Sequence, residues 1–125
     1  MTWAIEYDDD LQIVVLTYSG KTTGEDIKEA AAARIAMGKE KGVNKFLIDA
    51  GKVETEASAT LSIYEVPEDL YLRQEANRKS RIAVIRPESS VSREMVEFYE
   101  TACLNLGWLV KVFQDRDNAV EWLLR

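Results

Sequence analysis

Asp49 ends the apolar run Phe46-Leu47-Ile48 and is followed by Ala50 and Gly51. In α/β proteins chemistry collects where a strand hands over to a loop and a helix, so this carboxylate is the first candidate. An acid there can accept backbone amides from the loop that follows, or it can serve as a phosphoacceptor. Receiver-type phosphoacceptors need an acidic pair after the first strand and a lysine after the last. This chain opens with a hairpin and carries Lys111 inside its final strand, which leaves the loop-pinning role. Asp8-Asp9-Asp10 could present oxygens to a hard divalent cation. Consecutive side chains in a tight turn point apart, however, and no glycine or closing glutamate completes a calcium loop, so the run reads as a solvated turn.

The chain has no histidine and one cysteine, Cys103. Mechanisms of the Ser/His/Asp and Cys/His kinds and ordinary Cys/His zinc sites are therefore excluded. Cys103 shares a helical stripe with Met95, Tyr99 and Leu106 and reads as a small buried hydrophobe. Gly20-Lys21-Thr22-Thr23-Gly24 precedes a helix but lacks the spacing of a phosphate cradle. These residues predict no catalytic group, no metal and no cofactor.

The elements around these residues alternate. Trp3 to Tyr7 and Leu11 to Tyr18 form two strands of a hairpin, ended by Gly20. Thr22 and Thr23 each precede an acid three residues on (Glu25, Asp26), which predicts a capped helix running to about Lys41 and stopping at Gly42. Its stripe, Ile27, Ala31, Ile35 and Gly38 with Ala30 beside it, is small enough to lie close to a sheet. A strand from Lys45 to Ala50 leads into a polar loop, Gly51 to Ala57. From Ser58 to Lys79 the spacing predicts two short helices divided at Pro67. Arg81 to Arg86 is a strand, Val91 to Leu106 a helix capped by Ser89, Ser90 or Ser92, Trp108 to Gln114 the last strand, and Asp115 caps a terminal helix. Met95, Phe98, Tyr99, Ala102, Cys103 and Leu106 form the apolar stripe of the long helix.

The order β-β-α-β-α-β-α-β-α predicts one α/β domain over residues 1–125, with a mixed, mostly parallel five-stranded sheet and an antiparallel N-terminal hairpin. Val14-Val15-Leu16, Phe46-Leu47-Ile48 and Ile82 to Ile85 are continuously apolar and call for cover on both faces. Lys111 suits an exposed edge. With 125 residues, a hydrophobic fraction of 46% and a charged fraction of 30%, the chain can bury a core without metal or disulfide. A net charge of -6 argues against nucleic acid and anionic membranes as partners. The opening residues lack a basic stretch followed by an apolar one, and no apolar run approaches a membrane span of about 20 residues. The expectation is a cytoplasmic protein.

This element order, the strands Phe46 to Asp49 and Arg81 to Ile85, and the closing Asp115-Arg116-Asp117-Asn118-Ala119-Val120-Glu121-Trp122-Leu123 together resemble the SpoIIAA-like proteins. These are stand-alone relatives of the STAS domain (sulphate transporter and anti-sigma-factor antagonist), often grouped with SEC14-like lipid-binding domains. The resemblance implies consecutive strand order, helices mostly on one side, and a function in binding rather than catalysis. In anti-sigma-factor antagonists a phosphorylated serine follows the strand that matches Phe46 to Asp49. Here Ala50 follows, so the equivalent loop retains Asp49, Gly51 and, farther along, Ser58, without the serine of the switch.

The stretch around Pro67 carries more apolar surface than a surface connection needs. Leu61, Tyr64, Val66, Pro67, Leu70 and Tyr71 supply it, while Glu65, Glu68, Asp69 and Arg73 keep the other side wet. It predicts a flap that covers an apolar pocket or meets a protein partner. Two occupants follow: a protein partner, with a homodimer expected, or a small apolar ligand such as a fatty acid, as the SEC14-like kinship implies.

Overall fold

In the computed structural model, which describes residues 2–55 and 59–125, the acidic run closes a hairpin. Asp8 Oδ1 accepts the Leu11 amide at 3.1 Å, and Gln12 takes a positive φ of 56° to turn the chain back. Strand β1 (Trp3–Asp8) thereby pairs antiparallel with β2 (Ile13–Thr22), Asp8 opposite Ile13. Thr23 and Asp26 then form a reciprocal capping box, each side chain accepting the other's amide at 3.1 Å, which starts helix α1 (Gly24–Lys41). Gly42 ends it in the left-handed region at φ 67°.

Strand β3 (Lys45–Thr55) follows, then α2 (Thr60–Glu65), a π-helical turn (Val66–Leu70), the short α3 (Tyr71–Arg73) and β4 (Arg81–Ile85). Helix α4 (Ser90–Asn105), β5 (Leu109–Phe113) and α5 (Arg116–Leu123) complete the chain. Of the three candidate serines, Ser89 is the cap, accepting the Ser92 amide. Asp115 caps α5, accepting the Asn118 amide at 2.9 Å. The five-stranded sheet runs β1-β2-β3-β4-β5, antiparallel at the hairpin and parallel elsewhere.

Alternation divides the strands between two unequal layers. Val14, Leu16, Phe46, Ile48, Ile82 and Val84 face α1, α4 and the helical segment around Pro67. Ile13, Val15, Leu47, Ala83 and Ile85 face α5, which plugs that side with Ala119 and Leu123. Covered on both sides, the central strands read as unbroken apolar runs, and each fully buried aliphatic side chain among them contributes about 1.5–3 kcal/mol. At the outer edge, Lys111 is exposed and the Val112 amide donates to Glu100 Oε2 of α4 at 2.8 Å.

Two boundaries differ from the sequence expectation. Strand β3 does not end at Ala50, nor β2 at Gly20: the two continue together to Thr55 and Thr22. Thr17 pairs with Asp49 and Ser19 with Lys52, so Ala50 and Gly51 stand opposite Tyr18 alone and form a bulge. The ladder resumes beyond it. The segment at Pro67, moreover, is not two separated helices. Glu65, Val66, Leu70 and Tyr71 all keep right-handed helical dihedrals. The Tyr71 amide reaches back five residues to the Val66 carbonyl. Proline brings no amide and its ring crowds the carbonyl one turn earlier; widening the turn makes room without breaking the helix.

Candidate functional site

An apolar pocket of about 70 Å³ lies between the sheet and its helical layer. Tyr18 of β2, Ile48, Ala50 and Val53 of β3 and Val84 of β4 make its floor. Ile27, Ala31 and Arg34 of α1, Ile63 and Val66 beside Pro67, and Met95, Val96 and Tyr99 of α4 make its walls. Beside it α1 packs closely on α2 at one end and on the sheet at the other. A Cβ on Gly24 would fall 2.3 Å from Ser62 Oγ, and one on Gly38 would fall 2.6 Å from the Phe46 ring. At both ends of α1, therefore, glycine lets the helix settle, and Ala31 and Ala50 leave the gap between.

Arg34 sets the electrostatics. It is 2% exposed and donates to the Tyr71 hydroxyl, which shares a further hydrogen bond with the hydroxyl of Tyr99. Its guanidinium carbon lies 5.2 Å from the Phe46 ring centroid and 5.4 Å from that of Tyr71. Its Nε has no hydrogen-bond partner. The ion pairs among the described residues, Lys28–Glu65, Asp69–Arg73 and Glu121–Arg125, leave Arg34 out. Burying an unpaired ion costs several kcal/mol. A desolvated cation–π contact returns ~2 kcal/mol and a hydrogen bond to a charged group ~1.5–3 kcal/mol. These contacts offset the desolvation, but they leave the positive charge itself without a counter-ion.

The groups facing Arg34 do not supply one. Burial raises the Tyr18 and Tyr71 phenols despite the opposing guanidinium. Part of the Tyr99 ring reaches solvent, but its hydroxyl meets Tyr71 inside, and burial holds it well above the ordinary phenol value. Burial pushes the Cys103 thiol up to about 12, against the Tyr99 hydrogen bond and the Arg34 charge. All four are neutral at pH 7, and the site carries one fixed positive charge.

Arg34 also contributes to the wall of a second, more polar depression of about 320 Å³, formed with Lys39, Asn44, Glu75, Asn77 and Trp108 at the starts of β3 and β4. The indole Nε1 of Trp108 is likewise buried without a partner.

The predicted site residues separate into two groups. Val66 lines the pocket and Tyr71 anchors the Arg34 network. Pro67 and Leu70 are buried nearby. Tyr64 turns outward and stacks on Phe98 at 6.2 Å between centroids, so Phe98 is not part of the buried stripe of α4. Leu61 lies in α2, but its side chain is outside the described residues, as is Ser58 altogether. Asp49 occupies the alternate register to Ile48 and Ala50, on the face away from the pocket, where its Oδ1 accepts the Gly51 amide at 3.0 Å. Asp49 and the pocket residue Val66 therefore stand on opposite faces of the sheet. Arg34 was not among the predicted residues. Its signal was its spacing, since it falls on the stripe of Ile27, Ala31 and Gly38 where a cation is out of place.

The sequence profile of the SpoIIAA-like family matches residues 13–124. The chain belongs to the SpoIIAA-like family. Two solved structures carry the same fold. One is an uncharacterised protein of the DUF3478 family from Shewanella loihica PV-4, with a SpoIIAA-like fold, at 20% identity and a TM-score of 0.57, over 97% of this chain and 91% of that one. The other is the anti-sigma factor antagonist SpoIIAA in its unphosphorylated form, at 15% identity and a TM-score of 0.55, over 96% of each chain. No curated protein matches the chain. Among the described residues, no helix of this SpoIIAA-like chain is long and apolar enough to cross a membrane.

Proposed function

We propose that this SpoIIAA-like protein acts in the cytoplasm by binding, not catalysis, and that it holds a small apolar molecule between the sheet and the helices around Pro67. The observation that supports this reading is the apolar pocket under Ile63 and Val66. Ligand sites are concave and mostly apolar, and this one is almost wholly so: Arg34, Thr55, Tyr18 and Tyr99 belong to its wall but turn little polar surface into it. The residue chemistry agrees: the chain has no histidine, and its one thiol is buried and protonated. On this reading the chain works without the serine switch of the antagonists, which the buried floor residue Ala50 after Asp49 supports. Native mass spectrometry of the purified protein tests the reading. A co-purifying small molecule, or a mass shift on adding a short-chain amphiphile, is expected; a bare chain under both conditions overturns it.

A protein partner, including a second copy of the chain, is the other reading. Tyr64 and Phe98 stack in the open, 40% and 38% exposed, and Val91 is 55% exposed on the same helix as Phe98. An exposed aromatic pair of this kind suits an interface, and the solved relative SpoIIAA is named as an antagonist of an anti-sigma factor. Light scattering of the protein and of Phe98→Ser separates a homodimer from a monomer.

A further inference from the structure

We propose that the face around Tyr64 and Phe98 takes a cationic amphipathic segment of another protein. This deepens the protein-partner reading and rests on it. The buried contact near these rings is made by Ala59, Ile63 and Met95, with Tyr99 beside them. Tyr64 and Phe98 stack outside that contact, joining α2 to α4 in the open. Val91, Glu94, Phe98 and Thr101 follow one another at steps of three and four residues, which sets them in one ridge along α4. All four are exposed. On the facing segment the Tyr64 hydroxyl donates to Glu68 Oε2 at 3.4 Å, so the aromatic centre carries a carboxylate at its margin.

The free charges around the rings are of one sign. Glu68, Glu94 and Glu97 are exposed and enter none of the ion pairs among the described residues. The cations of the adjoining elements are engaged elsewhere. Lys28 holds Glu65, Arg73 holds Asp69, and Arg93 donates from Nε to the Pro87 carbonyl at 2.9 Å. An apolar centre with an acidic margin is complemented by aliphatic side chains flanked by lysine or arginine, the arrangement that an amphipathic helix presents. The same charges disfavour two other occupants. A second copy docked by two-fold symmetry would set these carboxylates against their own images, and an anionic lipid surface would meet the same repulsion.

Isothermal titration calorimetry of the full chain with a short amphipathic leucine–lysine helix tests this, beside a scrambled leucine–lysine peptide and a leucine–glutamate helix. The patterned leucine–lysine helix is expected to bind about ten-fold more tightly than the scrambled one, and the leucine–glutamate helix not at all. Phe98→Ser is expected to lower the affinity about ten-fold, and Glu94→Lys together with Glu97→Lys by a similar factor. Asp9→Lys together with Asp10→Lys makes the same change in net charge at the hairpin turn, outside this face, and is expected to leave the affinity within about two-fold. All five side chains are exposed, so the variants keep the fold. Equal losses from the two lysine pairs, or an affinity unmoved by Phe98→Ser, overturn the assignment. Should no peptide bind while light scattering shows a dimer that Phe98→Ser dissociates, the cationic segment is wrong and the protein-partner reading stands with a second copy as occupant. No peptide binding by a monomeric protein removes both.

Discussion

Gly38 of α1 rests directly on the ring of Phe46, so closely that a Cβ at the glycine would fall 2.6 Å from the ring's Cζ. This contact sets the depth of α1 on the sheet. It also holds Phe46 beneath the Arg34 guanidinium, 5.2 Å from the ring centroid. Gly38→Ala gains ~1 kcal/mol of helix propensity but overpacks a rigid aromatic contact, which costs ~1–3 kcal/mol. Net destabilisation of about 1 kcal/mol is expected, read as a lower urea midpoint. A raised midpoint would show that α1 can lift without loss.

Filling the pocket separates shape from charge. Ala50→Leu adds three carbons on the pocket floor and leaves Arg34 in place. A cavity-filling change commonly adds ~0.5–2 kcal/mol, so the melting temperature is expected to hold or rise while binding of any small amphiphile is lost. Retained binding in a stable Ala50→Leu protein would place the ligand elsewhere.

The buried thiol and phenols give stability a pH dependence of definite sign. Cys103 is raised from an ordinary 9.0 to about 12 in the folded protein. A group raised on folding contributes its full stability below its unfolded value and loses it as pH climbs toward the folded one. From about pH 9 upward the unfolded chain ionises first, and stability falls by up to ~1.4 kcal/mol per pH unit for this group. Tyr18, Tyr71 and Tyr99, all raised, steepen the loss above pH 10. Urea midpoints at pH 8 and pH 10 check the slope, and Cys103→Ala should remove the part that begins near pH 9. A flat profile between those two conditions contradicts the burial of these groups.

The flap expected around Pro67 has a direct test. Trypsin should cut first at Arg73, Arg78 or Lys79, all exposed, before any site in β3 or β4. Chymotrypsin reaches the helical segment itself, at Tyr64, Leu70 and Tyr71, where trypsin has no site; resistance there equal to that of the core strands would mean that the segment does not open.

The α1 cap is the simplest local test. Thr23→Ala removes the side chain that accepts the Asp26 amide and should cost ~1 kcal/mol. A loss confined to a few tenths would show that α1 is held by its packing alone.

Much of the fold was legible because local signals agreed with it. Three apolar runs became the central strands, Thr23 and Asp115 became caps, and Gly42 stopped its helix. The extension of β3 was hidden by the bulge: with Ala50 and Gly51 sharing one partner, alternation breaks, although the burial of Val53 resumes it three residues later. At Pro67 a broken helix was the local expectation, and tertiary packing of Val66 and Leu70 kept it continuous. The site was only half visible. Val66 and Tyr71 announced themselves as surplus apolar residues, whereas Arg34 was not singled out. Its place on the stripe of α1 was there to be read, but its partners Phe46 and Tyr71 come from other elements, and only the fold brings them together.

The amide of Val112 is already occupied by Glu100. An outermost strand with free amides invites foreign strands to add on, the first step of fibril growth. Here a carboxylate from the neighbouring helix fills one such position, and the exposed Lys111 repels flat stacking beside it. Addition of a foreign strand at this rim is thereby disfavoured.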